Sequence, residues 1–132
     1  MYVKGVTATT LDDIRAAAGT SKSQLYRHFP DKGALVHAVI ARRGQQVIER
    51  ETQRLGRLNS FSGLTRWRDA LIQVSSLQNG AYGCALGSIA NELADTDEQA
   101  RSALAALFAT WEDLIADGLR RMQGQVRPGL CR

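Results

Sequence analysis

Two helix signals only two residues apart constrain this chain more than any other feature. "TLDDIRAAAG" opens on Thr10, a residue type suited to an N-cap, and puts Asp13 next to the positive end of the helix dipole. Leu11, Ile14 and Ala18 are spaced to bury one face. Gly19 tolerates positive φ and stops that helix. Ser21 and Gln24 then form an S-x-x-Q capping box, so a second helix starts at once and runs through Leu25 and Phe29 to Pro30. Helix, tight glycine turn and helix within residues 10–29 is the layout of a helix-turn-helix.

The second helix of that motif has two distinct faces. At about 100° per residue, Leu25 and Phe29 share an inner face, flanked by His28 and the stem of Lys22. Ser23 and Arg27 point the other way, with Gln24 and Tyr26 between them. Arg pairs with guanine O6/N7, Gln with adenine N6/N7, and Ser or Tyr with phosphate oxygens. No acid lies between Ser21 and Phe29. Helix starts at Thr10, Ser21 and Lys32 offer further N–H donors to phosphate. An ordinary helical hairpin with a solvated face would show the same spacing, so the spacing alone leaves both readings open. The charge distribution favours contact with a polyanion. Residues 1–60 hold ten Lys/Arg against five Asp/Glu, a net +5, whereas residues 61–132 hold seven against eight, a net −1.

Beyond the motif the chain also reads as helix, with no alternating strand pattern. Asp31 is placed to cap a segment from Lys32 to about Leu55, whose Leu35, Val36, Val39, Ile40, Val47 and Ile48 recur at helical spacing. Arg42, Arg43, Arg50, Arg54 and Arg57 predict a solvated face with Glu51 pairing locally. "LGRLNSFSG" reads as a loop and carries the functional boundary, dividing the chain into 1–57 and 58–132. A helix over roughly 62–78 follows, with Leu64, Trp67, Leu71 and Val74 on one stripe. "QNGAYGCALG" breaks it with three glycines in ten residues. A short helix covers "SIANELA", and Thr96 with Gln99 predicts a capping box opening a long helix to about Gln123. The fold class is all-α.

Several functions are excluded or disfavoured. No window approaches eighteen uninterrupted apolar residues, so no membrane-spanning helix is expected. The first ten residues lack the apolar core of a signal peptide, which predicts a cytoplasmic protein. Cys84 and Cys131 are too far apart to read as a disulfide framework, and Cys84 is expected to be a small buried side chain. Two histidines in the chain make no credible metal site, and no cofactor is expected. No Ser-His-acid order, paired-carboxylate spacing or phosphate loop is present, so an enzyme is not expected.

"TTLDDIRAAAGTSKSQLYRHFPDKGALVHAVI" resembles the DNA-binding domain of TetR-family transcriptional regulators, with matches at Thr10, Asp13, Ile14, Ala18, Gly19, Ser21, Leu25, Tyr26, His28, Phe29, Lys32 and Leu35. More loosely, Gly83, Cys84, Leu86, Gly87, Ser88, Glu92, Leu93, Ala94, Asp95 and Trp111 are similar to the ligand-binding domain of one branch of that family. The resemblance implies a helix-turn-helix DNA-binding domain followed by a helical ligand-binding domain, and a repressor-type regulator released from DNA by a small molecule. It implies double-stranded palindromic DNA, a small hydrophobic effector and a second copy of the chain as partners.

By position, the resemblance assigns DNA contacts to Thr10, Thr20, Ser21, Lys22, Ser23, Gln24, Tyr26, Arg27 and Lys32. His28 and Phe29 fall at mainly structural positions. Trp67, Leu71, Tyr82, Leu86, Ile89, Phe108 and Trp111 are the candidate lining of an effector pocket, though each is also a good core residue. The family pattern carries a full helix ahead of Gly5 and two long helices after Gln123, so the chain is expected to be shortened at both ends and the second domain incomplete. The alternative is a truncated protein that binds no DNA and pairs with a full-length regulator.

Overall fold

The computed structural model describes residues 4–81 and 83–125. They form seven α-helices: α1 (Gly5–Ala8), α2 (Leu11–Ala18), α3 (Lys22–His28), α4 (Lys32–Leu55), α5 (Phe61–Ser76), α6 (Ala85–Leu93) and α7 (Glu98–Gln125). A 3-10 turn, Leu77–Gly80, follows α5, and no strand occurs among the described residues. The glycine-rich stretch before α6 falls where the sequence predicts a break, and Tyr82 within it lies outside the described residues.

Residues 4–44 and 83–104 form one compact unit, and residues 45–81 and 105–125 form another. In the first unit, Val6 of α1, Leu25 of α3, Leu35, Val36 and Ile40 of α4, Leu86 of α6, and Ala100 and Leu104 of α7 are buried. Each large apolar side chain removed from water stabilises the unit by about 1.5–3 kcal/mol. Helix α2 contributes less than its spacing predicts. Leu11 and Ile14 are half-buried, and Ala18 is exposed. Gly19 adopts φ 64°, ψ 24°, and its N–H bonds back to the Ala16 and Arg15 carbonyls. That left-handed residue turns the chain into α3, and a β-carbon there would be strained.

The second unit is built differently. Leu55 and Leu58 are buried, and the Arg121 guanidinium of α7 donates to both their carbonyls, at 2.5 Å and 3.1 Å. An arginine thereby satisfies the last carbonyl of α4, where a cation also suits the helix dipole, and a carbonyl of the loop after it. Helix α7 can lie this close because residue 118 is glycine: a β-carbon there would stand 2.7 Å from Leu58 Cδ2. Glu51 is fully buried, contrary to the solvated face expected for this stretch. Its carboxylate accepts from Arg50 Nε at 3.1 Å and Trp67 Nε1 at 2.7 Å, with Arg54 Nη1 at 3.5 Å. Helix α5 buries none of its side chains completely, and Val74 on the expected stripe is exposed.

Helix starts follow local side-chain chemistry, with two corrections. Thr10 and Asp13 make a reciprocal capping box, as do Ser21 and Gln24. Asp31 Oδ1 accepts from Ala34 N at 2.8 Å, capping α4. Cys84 is exposed and not buried, because its Sγ caps α6 by accepting from Gly87 N at 3.4 Å. The cap of α7 is Asp97 in place of Thr96. Asp97 Oδ1 accepts from Ala100 N at 2.9 Å, and its other oxygen meets His37 Nε2 at 2.7 Å. A carboxylate outcompetes the neighbouring hydroxyl for the helix N-terminus, and His37 gives it a second partner. Asp97→Ala is therefore expected to lower the urea midpoint of unfolding, followed by circular dichroism, clearly more than Thr96→Ala does. Equal losses would return the cap to Thr96.

Candidate nucleic-acid interface

Helix α3 is fixed at both ends before it meets anything else. Ser21 Oγ accepts from Gln24 N at 3.2 Å, and Gln24 Oε1 accepts from Ser21 N at 3.1 Å and from Thr20 Oγ1 at 2.9 Å. Its far end closes with Phe29 N–H on the Leu25 carbonyl at 2.9 Å. Leu25 is buried and Phe29 half-buried, which docks the inner face. Ser21, Lys22, Ser23, Gln24, Tyr26 and Arg27 are exposed, with Tyr26 at 43%. His28 is exposed too, its ring tilted 53° to that of Phe29 at 6.4 Å, so it covers Phe29 from outside.

The capping geometry changes what Gln24 can offer. Its carbonyl oxygen is already shared by two donors, which leaves the amide NH2 as its free group. Bidentate pairing with adenine needs both ends of the amide, so that pairing would break the cap. Lys22 and Arg27 make no ion pair among the described residues, and their charges stay available.

Thr10, Lys22, Tyr26 and Lys32 come together around one shallow concavity of about 350 Å³, with Thr7, Thr9, Leu11 and Asp12 completing its wall. Asp12 is the acid there, and Arg15 Nε lies 3.7 Å from its carboxylate. Lys32 Nζ donates to the Thr7 carbonyl at 3.1 Å, which holds the ammonium beside the end of α1. The remaining candidates, Thr20, Ser21, Ser23 and Gln24, cluster at the N-terminus of α3, and Arg27 projects one turn further on.

Helix α1 is held from α6. Glu92 Oε1 accepts from Val6 N at 3.0 Å, and Oε2 accepts from Thr7 N at 2.9 Å. The Thr7 N–H, then the Val6 N–H, holds the Glu92 carboxyl below the usual carboxylate range. Sequence reading assigned Glu92 no structural task. A bond between residues 86 positions apart has no local signature, whereas Thr10, Ser21 and Asp31 cap within three residues of themselves.

Next to that contact lies an apolar cavity of about 350 Å³ walled by Val6, Ile14, Leu35, Val39, Ala85 and Ile89, with Arg43, Ser88 and Glu92 as its polar members. Of the seven residues expected to line an effector pocket, Ile89 lines this one. Leu86 is core. The others described belong to the second unit: Trp67 bonds Glu51, Leu71 borders a recess with Ile72 and Ser75, and Phe108 stacks on Trp111 at 6.4 Å with 9° between the rings. Tyr82 lies outside the described residues.

Residues 1–39 match the family of bacterial regulatory proteins described as the tetR family, and residues 61–126 match the C-terminal domain of LmrA/YxaF-like transcriptional regulators. The chain belongs to the TetR family of bacterial regulatory proteins. It is similar to a protein of Lactococcus lactis subsp. lactis named as an uncharacterized HTH-type transcriptional regulator in the lacX 3′ region, with 27% identity. That alignment covers 94% of this chain and 64% of the relative, so the chain spans about two thirds of the length of the protein it matches. No solved structure matches it. Helices α2 and α3 are the helix-turn-helix of this TetR-family chain. Among the described residues no helix is long and apolar enough to cross a membrane, and no cluster of three or more metal-ligating side chains occurs.

Three carboxylates link this site to pH. Asp13 is lowered first by the Thr10 N–H, Glu92 first by the Thr7 N–H, and Asp97 first by the Ala100 N–H and then by His37. A carboxyl whose folded pKa lies below its unfolded value stabilises the fold fully above the unfolded value. That contribution is lost as pH falls through the folded value. The unfolding free energy is therefore expected to decline as pH drops below 4.5, the ordinary Glu value, and to decline less steeply in Glu92→Gln. Urea midpoints measured across that range check it, and an identical slope in Glu92→Gln would remove Glu92 from the account.

Proposed function

We propose that this chain is a ligand-responsive repressor that reads a palindromic DNA operator with α3. The observation carrying the reading is the outer face of α3, where Lys22, Tyr26 and Arg27 are exposed beside Ser21 and Ser23, with no acid on the helix. In this reading the exposed Arg27 meets a base edge, and Lys22, Tyr26, Thr10 and Lys32, which share one concavity, meet the phosphates that set register. Ser21, Thr20 and Gln24 hold the helix N-terminus and add backbone donors. A palindrome calls for two copies with half-sites about one helical turn apart. Phe61, Ile72, Leu77 and Leu119 leave exposed apolar surface in the second unit that a second copy would cover.

The effector reading rests on the apolar cavity of the first unit. A small hydrophobic molecule there would touch Ile89 and Glu92, on the helix that holds α1. Its entry would bear on α1, and through Thr7 on Lys32. Only an effector with different affinities for the free and DNA-bound forms could shift the balance between them.

Band shifts on a palindromic fragment from the adjacent promoter, at about 50 and 200 mM salt, test this. A sequence-selective complex is expected, weakened about tenfold or more by Arg27→Ala while helicity is unchanged. Lys32→Ala is expected to weaken all sequences alike and to flatten the salt dependence. Binding that ignores sequence in the wild type, or survives Arg27→Ala with Tyr26→Ala undiminished, would overturn the reading.

A further inference from the structure

The second unit carries a basic concavity that the operator reading leaves unused. It has a volume of about 370 Å³ and lies where the C-terminal turns of α4 meet the first turns of α5. Arg54, Arg57 and Arg66 line it together with Trp67, Leu58 and Gly63, and no acid is among its lining residues. Arg57 and Arg66 have no ion pair or hydrogen bond among the described residues. Arg54 Nη1 is buried with no hydrogen-bond partner, 3.5 Å from Glu51.

Glu51 pairs with Arg54 and Arg50 and leaves Arg57 and Arg66 without a counter-charge among the described residues. Its carboxylate already receives Arg50 Nε at 3.1 Å and the Trp67 indole N–H at 2.7 Å. Asp69 and Asp117, elsewhere in this unit, are paired with Arg68 and Arg120. Arg66 is folded back over the start of α5, its Nη2 3.7 Å from where a Gly63 β-carbon would stand. Positive charge therefore converges in a concave site beside a helix N-terminus, which strengthens its pull on an anion. The wall is not wholly polar. Trp67, Leu58 and Ala70 supply apolar surface, and the Glu51 bond fixes the indole in place.

We propose that this concavity binds a small organic carboxylate carried on a flat apolar body. Its oxygens are received by the Arg57 and Arg66 guanidiniums, whose planar forks match a carboxylate two bonds at a time. Its body lies against Trp67. The volume sits at the lower end of the range for ligand sites, about 300–1,000 Å³, which suits a single-ring acid. The site shares no lining residue with the apolar cavity of the first unit. Binding is read without DNA, so its failure leaves the operator reading intact.

The test is a fluorescence titration of the whole chain carrying Trp111→Phe, which leaves Trp67 as its tryptophan. Trp111 Nε1 is buried without a partner, so phenylalanine loses no hydrogen bond there. Benzoate at constant ionic strength is expected to quench Trp67 saturably, with a Kd of about 1 mM or tighter. Arg57→Ala with Arg66→Ala should weaken that Kd about tenfold or more. Arg68→Ala should leave it unchanged, because Arg68 pairs with Asp69 outside the concavity. Benzyl alcohol should produce no saturable change. Absence of saturation, equal binding of inorganic phosphate, or benzoate binding that survives the double substitution would each overturn the proposal.

Discussion

A single carboxylate sets the position of the first helix. Glu92 lies on α6 and receives the N–H groups of Val6 and Thr7, two of the donors that a helix start leaves without intrahelical partners. Four residues cannot sustain a helix by themselves, because nucleation costs more than one turn returns. Tertiary contacts hold α1: Val6 is buried and Glu92 terminates its backbone. The consequence runs onward through Thr7, whose carbonyl takes the Lys32 ammonium, and through Thr9, whose hydroxyl donates to the Gly5 carbonyl at 2.6 Å. Thr10 follows directly and starts α2. Placement of the helix-turn-helix thus depends on a residue far from it in sequence.

The second unit solves a different problem, a buried charge. Glu51 would be costly in its site if left alone, since an unpaired carboxylate there would lose its hydration with nothing in return. Arg50, Arg54 and Trp67 surround it. Arg121 closes the end of α4 a turn later on backbone carbonyls. Polar side chains therefore fix the junction of α4 and α5, where the apolar core is thin. Arginine suits this task because its donors reach several acceptors in one plane.

Much of the architecture was legible because it is encoded locally. Thr10, Ser21 and Asp31 each act on an N–H three residues ahead, so their helix starts could be read from residue type and spacing. Gly19 ends α2 for a reason visible in the sequence. The errors came where two local candidates competed or where burial depended on distant packing. Thr96 and Asp97 both suit an N-cap, and His37 from another helix favours Asp97. Cys84 looked like core by residue type, but its place at a helix start leaves it exposed. Periodicity could not reveal that Glu51 is buried, since the indole that donates to it comes from α5. The exposed polar face of α3 was legible residue by residue, except that capping claims the Gln24 carbonyl. Which apolar residues border a cavity was not legible, because a stripe of apolar residues looks the same whether it fills a core or borders a cavity.

The central claim is that Glu92 holds α1, and through it the residues proposed for phosphate. Amide hydrogen exchange at Val6 and Thr7, resolved by NMR, tests it most directly. Both amides are expected to exchange slowly in the wild type and to lose that protection in Glu92→Ala while α7 stays protected. Rapid exchange at both in the wild type, or unchanged protection in Glu92→Ala, would contradict the account.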